Sequence, residues 1–109
     1  MKLSKADNQM NQLFEAILLL KDLNEARRFF RDLLTQKELQ EFANRWRVAQ
    51  LLNRKVSYTQ IERETGMSST TIARVQKWLT KGMGGYRLIL DKAVNHHHSP
   101  SASFEKGLS

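Results

Sequence analysis

Residues 58–79 read YTQIERETGMSSTTIARVQKWL, a pattern typical of two short helices joined by a tight turn. Such a turn needs a residue that tolerates a positive φ, and Gly66 stands between the two predicted helices. Apolar residues on both sides share one helical face and can form a small common core, namely Ile61, Met67, Ile72 and Val75. The stretch therefore predicts a helix-turn-helix over about residues 57–80.

The second helix of this motif predicts a surface that contacts DNA. Ser68 is a good N-cap, which places Ser69, Thr70 and Thr71 on the first turn, where the motif presents side chains to base edges. We expect nearby cations and hydroxyl groups to hold the phosphate backbone; these residues are Arg45, Arg54, Lys55, Tyr58, Thr59 and Lys77. Glu62 stands where common versions of the motif have a small residue. Either the helices cross more loosely here or the glutamate points outward.

Composition limits the classes of protein to which the chain can belong. Its 109 residues suffice for one domain, and the net charge of +7 favours a polyanionic partner, either nucleic acid or an anionic membrane. The absence of cysteine excludes disulfides and thiolate sites, and the longest apolar run, AILLL at residues 16–20, is too short to span a bilayer. We expect a protein of the cytoplasm with no membrane partner.

The spacing of apolar residues predicts an all-α chain. Helices are expected at about residues 5–21, from residue 22 through the apolar pairs Phe29-Phe30 and Leu33-Leu34, at 36–54, across the motif, and after Gly84-Gly85. Start signals support this division, at Asp22 with Glu25, Thr35 with Glu38, and Ser57 with Gln60. We predict one domain over residues 1–94 and a disordered tail over residues 95–109, where NHHHSPSASFEKGLS is polar and contains the chain's one proline.

Sites for other chemistry are not predicted. Histidine occurs at residues 96–98 in the predicted tail, where adjacent side chains lack the fixed geometry of a selective metal site. No pair of carboxylates is isolated on an apolar face for acid–base catalysis, so we expect neither an enzyme nor a metal or cofactor site. An alternative stays open beside DNA binding: a basic helical interaction module that binds an acidic protein or structured RNA.

Residues 34–79 resemble the Trp repressor superfamily. The matching features are LLT at 33–35, Glu38, RWRV at 45–48, S-x-x-Q-I at 57–61, Glu64, Gly66 and T-I-x-R at 71–74. GMGGY at 82–86 is similar to the TrpR-like branch of the YerC/YecD type. The resemblance implies a transcription repressor, an intertwined all-helical homodimer whose two recognition helices enter successive major grooves of a palindromic operator in double-stranded DNA. A partner is also expected because a chain this short would struggle to cover all its apolar stripes alone.

The resemblance also implies an effector pocket between the third helix and the recognition helix, where the Trp repressor holds tryptophan. Arg45, Arg74 and Thr35 match ligand-facing positions of the family. Val75 replaces a glycine there and Trp78 replaces a serine, so the valine would take up room that the indole needs and Trp78 could fill the pocket. We expect that tryptophan is not the corepressor and that any effector is another small molecule. Trp46 is expected in the core.

Overall fold

The computed structural model describes residues 3–97, and this part of the chain consists of helices and their connections, with no strand. The helices are α1 (Lys5–Ile17), α2 (Leu23–Leu33), α3 (Gln36–Asn53), α4 (Tyr58–Thr65), α5 (Ser69–Lys81) and α6 (Gly85–His97). The all-α prediction is confirmed. Within the same residues, no helix is both long enough and apolar enough to cross a bilayer.

Two boundaries differ from those expected from the sequence. Helix α1 ends at Ile17 rather than near Lys21, because Lys21 belongs to the start of α2: its backbone N–H donates to the Glu25 carboxylate at 3.0 Å. The side chain of Asp22 accepts from the Glu25 N–H at 2.9 Å, as its N-cap pattern predicts. Helix α6 continues to His97, past the predicted domain end at Val94. The rest of the predicted tail, residues 98–109, lies outside the described residues.

The chain divides into two compact units, and the division falls inside α3 between Gln40 and Glu41. The N-terminal unit contains α1 and α2, in which no side chain is buried. Large apolar side chains stand exposed there, with Phe14 at 55%, Leu18 at 82% and Leu23 at 72% of their surface accessible. The sequence predicts one domain over residues 1–94, and the structure shows that α1 and α2 do not by themselves contribute a core.

The C-terminal unit has a hydrophobic core. Its buried side chains come from α3 to α6: Val48, Ala49, Leu51, Leu52, Ile61, Ile72, Val75, Leu79 and Leu90. Ile61, Ile72 and Val75, predicted to form the core of the motif, are completely buried, and Met67 packs against them. Trp46 is half-buried against the same core and stacks on Tyr86 with ring centroids 6.3 Å apart. This core fixes how α4 and α5 are held.

Candidate nucleic-acid interface

Gly66 makes the turn between α4 and α5, as the sequence predicts. Its φ is 73°, in the left-handed region, and its N–H donates to the Glu62 carbonyl at 2.9 Å to close α4. A Cβ at this position would meet nothing within 4 Å, so the backbone conformation, rather than crowding, favours glycine. The Thr65 hydroxyl donates to the Ile61 carbonyl at 2.7 Å and accepts from the Met67 N–H at 3.1 Å. Glu62 is exposed, which settles its orientation as outward.

The first turn of α5 carries the three residues predicted to contact bases. Ser68 caps the helix, because its Oγ accepts from the Thr71 N–H at 3.2 Å. Ser69 and Thr70 are exposed. Thr71 is half-buried, and its Oγ1 accepts a hydrogen bond from the Ser68 hydroxyl at 3.2 Å. Two of the three side chains therefore point into solvent, and Thr71 turns partly toward the protein.

The residues predicted to hold the DNA backbone are all exposed and lie on three helices and a turn. Arg54 and Lys55 follow α3, Tyr58 and Thr59 begin α4, Lys77 lies on α5 and Arg45 on α3. Lys55 has a φ of 65°, in the left-handed region where a side chain is strained. An ion pair of 3.7 Å between Arg47 and Glu64 joins α3 to α4, although its exposed partners give it little weight in stability.

Three of the five predicted effector-pocket residues line one cavity. Arg45, Arg74 and Trp78 surround a space of about 140 Å³ together with Glu41, Met67 and Thr71. Val75 does not line it, contrary to the prediction, because Val75 shares the buried face of α5 with Ile72 and Leu79 and is completely buried in the core. The valine therefore takes up no room in the cavity.

Thr35, the fifth predicted pocket residue, lies in the N-terminal unit and caps α3. Its hydroxyl accepts from the Glu38 N–H at 3.1 Å, and its own N–H donates to the Glu38 carboxylate at 2.9 Å. This is the capping box that the sequence predicts at Thr35 and Glu38. The bond from the Thr35 backbone, followed by that from its hydroxyl, holds the pKa of Glu38 below its ordinary value.

Trp78 lines two cavities. Its side chain lines the space beside Arg45 and Arg74, and also an apolar cavity of about 580 Å³ formed with Trp46, Met83, Tyr86 and their neighbours. Trp78 remains 42% exposed, so it is not part of the buried core. Burial raises the pKa of the Tyr86 phenol, and the charge of Arg45 opposes that shift.

Sequence analysis missed a polar group beside the predicted backbone contacts. Arg87 on α6 donates from Nη1 to Asn53 Oδ1 at 2.9 Å and lines a cavity with Lys55 and Tyr58. The two hydrogen-bonded residues are 34 positions apart. No periodicity or local motif connects residues at that separation, so folding alone brings Arg87 to this place.

Helix α5 is capped, follows a left-handed glycine, and packs one face into a core that it shares with α4 while its other face is exposed. This arrangement defines a helix-turn-helix protein. A family model described as Trp repressor protein matches residues 8–94. The chain belongs to the Trp repressor family, a family of DNA-binding regulators.

Individual relatives agree with this assignment. The uncharacterized protein YerC of Bacillus subtilis (strain 168) is 46% identical over 84 residues, which cover 77% of this chain and 81% of that protein. The crystal structure of a TrpR like protein from Eubacterium eligens ATCC 27750 is 40% identical with a TM-score of 0.76, covering 78% of this chain and 88% of that one. A Staphylococcus aureus protein of known structure is 39% identical with a TM-score of 0.75, covering 78% and 85%.

Proposed function

We propose that this protein is a sequence-specific DNA-binding transcription regulator, a repressor that occupies a palindromic operator as a dimer. The observation that carries the proposal is the first turn of α5, which exposes Ser69 and Thr70, is capped by Ser68 and follows the left-handed Gly66 that ends α4. Membership of a DNA-binding family supports it. In such motifs this turn enters the major groove while the first helix crosses the backbone.

Base contacts are assigned to Ser69, Thr70 and Thr71, and backbone contacts to the exposed cations and hydroxyls around them. Ser69 and Thr70 stand free of the core, whereas Thr71 is partly occupied by its bond to Ser68. Arg54, Lys55 and Lys77, with Arg45, Tyr58 and Thr59, supply donors for phosphate, and phosphate contacts give affinity without sequence preference.

The dimer is supported by the apolar surface of the N-terminal unit. Helices α1 and α2 bury no side chain within one chain, although each carries an apolar stripe. In a dimer with a two-fold symmetry axis, the stripes of each chain would be covered by the other chain. Two recognition helices related by such an axis would meet half-sites about 34 Å apart, one turn of DNA.

The cavity beside Arg45 and Arg74 is the candidate effector site, and we propose that tryptophan does not occupy it. The cavity measures about 140 Å³. Pockets for drug-sized ligands measure roughly 300–1,000 Å³, so an occupant of this cavity must be smaller than tryptophan. Thermal unfolding should show no stabilisation by L-tryptophan, whereas a true effector at about 100 times its Kd should add roughly 2.7 kcal/mol. Small carboxylates and amino acids smaller than tryptophan are the compounds to compare, because two arginines against one glutamate leave the cavity a net positive charge.

Selection from random duplex DNA tests the function. An enriched palindrome with half-sites about one helical turn apart is the expected result. No enrichment, together with binding to an acidic protein or structured RNA, would instead identify a basic helical interaction module.

Two variants then separate the two kinds of contact. Thr70→Ala should relax the sequence preference of binding, because it removes a hydroxyl from the exposed first turn of α5. Lys77→Ala should weaken binding to all duplexes and reduce the salt dependence. Equal losses on specific and random duplexes for both variants would contradict the assignment of α5 as a recognition helix.

A further inference from the structure

A second polar cavity, of about 270 Å³, lies between the end of α3, the first turn of α4, the C-terminal half of α5 and the start of α6. Its polar side chains include Asn53, Lys55, Tyr58, Thr80 and Arg87. Two of the lining residues are cations and none is a carboxylate. The cavity beside Arg45 differs in this respect, because Glu41 offsets one of its two arginines. The polar cavity is therefore suited to an anion.

Arg87 is held at this cavity by neighbours on two helices. Its Nη1 donates to Asn53 Oδ1 at 2.9 Å and lies 3.4 Å from Asp91 Oδ1, one turn further along α6. Asp91 does not line the cavity, and the pair with Arg87 is exposed, so it screens the guanidinium weakly. Both interactions use the same nitrogen of a group that has five N–H donors. The guanidinium is oriented and still has donors to offer.

Lys55 adds a second observation. Its φ of 65° is one that glycine adopts without strain and that lysine adopts at a cost. Among the described residues it is the one non-glycine position with a positive φ. Strained backbone persists where the surrounding structure or a function requires the residue, and this lysine lines the cavity that contains Arg87.

Helix periodicity relates the cavity to the turn that we assign to base contacts. Gln76, which also lines the cavity, follows Ser69 by seven residues, or about two helical turns. The two residues therefore share one face of α5 and are about 10 Å apart along its axis. Tyr58, on the first turn of α4, also lines the cavity. In helix-turn-helix complexes the first helix of the motif crosses the DNA backbone, so a phosphate is expected on this side.

We propose that Lys55 and Arg87 bind one phosphate of the DNA backbone in this cavity, with the Tyr58 hydroxyl as a further donor and Asn53 as the positioning residue for Arg87. The inference rests on the proposed function and extends the interface beyond the helix-turn-helix to α6. A phosphodiester carries a single negative charge and acceptor oxygens, which match two cations and a hydroxyl group.

The first test compares Arg87→Gln with Lys92→Gln, measuring duplex affinity at several salt concentrations. Lys92 lies on the same helix, is exposed and does not line the cavity, so its removal controls for net charge. Arg87→Gln should lower the affinity about tenfold for each half-site, as expected for one charge-assisted hydrogen bond per chain. It should also make the slope of log K against log salt shallower, by at most about 0.9 for each half-site, because Lys55 is then the one cation left to this phosphate. Equal behaviour of the two variants would overturn the proposal.

The second test neutralises phosphates one at a time, using a methylphosphonate at successive positions of a bound duplex. Neutralisation at one position on each half-site should weaken the natural protein more than Arg87→Gln, in which Lys55 is the one cation that still faces this phosphate. Asn53→Ala should reduce the penalty at that position and leave the penalties at other positions unchanged, which a general loss of stability would not do. The proposal fails if Arg87→Gln responds to every position as the natural protein does.

A third test asks whether the cavity binds a free anion instead of a DNA phosphate. Inorganic phosphate should change the thermal midpoint no more than chloride at equal ionic strength. Stabilisation by phosphate that requires Arg87, with no effect of Arg87→Gln on duplex binding, would assign the cavity to a soluble anion and overturn the DNA contact. Failure of the proposed function looks different, because selection from random duplexes with the natural protein would then enrich no palindrome. If the natural protein selects a palindrome but Arg87→Gln and Lys92→Gln bind duplex equally well, the proposed contact from α6 is wrong and the proposed function stands.

Discussion

The two units of this protein differ in how their apolar residues are covered. In the C-terminal unit, Ile61, Ile72 and Val75 are completely buried, and the core they form holds α4 and α5 in place. In the N-terminal unit, α1 and α2 also carry apolar stripes, but none of their side chains is fully buried. The side chains of Ser4 and Asp22 cap the two helices by accepting from the N–H groups of Asp7 and Glu25. The hydrogen bonds at the helix starts are therefore made within one chain, whereas the apolar faces lack a packing partner there.

This difference separates two tasks within one chain. The C-terminal unit has its own core and carries the predicted DNA-contacting residues, so its geometry does not require a partner. The N-terminal unit needs additional apolar surface, because isolated helices of its length are marginal in water and gain most of their stability from packing. A second copy of the chain supplies that surface in the proposed dimer. The contrast predicts that substitutions in the two units will have effects of different kinds.

The largest effect is expected in the core of the C-terminal unit. Ile72→Ala should lower the free energy of unfolding by about 2–5 kcal/mol, because it leaves a cavity where the side chain is completely buried. Urea unfolding followed by circular dichroism measures the change, and the loss should be the same at every protein concentration. The exposed Leu88 on α6 provides an apolar control. If Leu88→Ala lowers the free energy of unfolding by as much as Ile72→Ala, burial within a single chain does not determine the stability of this unit.

The corresponding substitution in the N-terminal unit should act through assembly. Phe14 is 55% exposed in the single chain, so burying the remainder against a second copy would contribute about 1–2 kcal/mol per chain. Phe14→Ala should weaken self-association, measured by sedimentation at several concentrations, and lower the unfolding midpoint at concentrations where the natural protein is a dimer. A natural protein that sediments as a monomer at all concentrations would contradict the explanation of these stripes.

Gly66→Ala probes the link between the core and the proposed interface. Alanine at a φ of 73° should cost about 1–2 kcal/mol, since a Cβ is strained there even though nothing crowds it. Gly66→Asn is the matched control, because asparagine tolerates this conformation better. Duplex binding at a temperature where both variants are folded should fall more for alanine. Equal stability of the two variants would show that the turn relaxes out of the left-handed region.

Most of the fold could be predicted from local signals in the sequence. The spacing of apolar residues located the core of the motif, and the cap at Ser68 and the glycine at Gly66 located the start of α5 and the end of α4. The end of α1 was wrong because the Lys21 N–H joins the cap of the next helix, a competition that hydrophobic spacing does not reveal.

The candidate site was less accessible from the sequence. Val75 was assigned to a pocket by position in the resemblance, whereas its face of α5 places it in the core. Arg87 was overlooked because its hydrogen-bond partner Asn53 is distant in sequence. The positive φ of Lys55 was not predicted, because no residue type or motif near it indicates that backbone conformation. Local rules predict caps and buried faces. Cavities arise from three or more helices together, and the sequence alone does not specify which polar residues meet there.

Lys55→Gly should separate stability from binding. Relief of the left-handed strain would gain about 1–2 kcal/mol, and the greater freedom of glycine in the unfolded chain would return about 0.5–1 kcal/mol of it. A net stabilisation of up to about 1.5 kcal/mol is therefore expected in urea unfolding, together with weaker duplex binding. Lys55→Ala is the control, because it removes the cation and keeps the strain. Full duplex affinity in both variants would show that this lysine contacts no phosphate.

The smallest expected effect is a pH dependence confined to the N-terminal unit. The bond from the Thr35 N–H lowers the pKa of Glu38 from its ordinary value of 4.5, so the cap stabilises the folded chain above pH 4.5 and weakens as the pH falls through the folded pKa. Glu38→Gln keeps an acceptor and cannot titrate. Unfolding measured from about pH 7 to about pH 3 should show the natural protein more stable at neutral pH and the two converging in acid. A constant difference in the free energy of unfolding between the two proteins across that range would mean that the cap does not depend on the charge of Glu38. The helix starts of the N-terminal unit would then be stabilised by hydrogen bonds that do not require a charged acceptor.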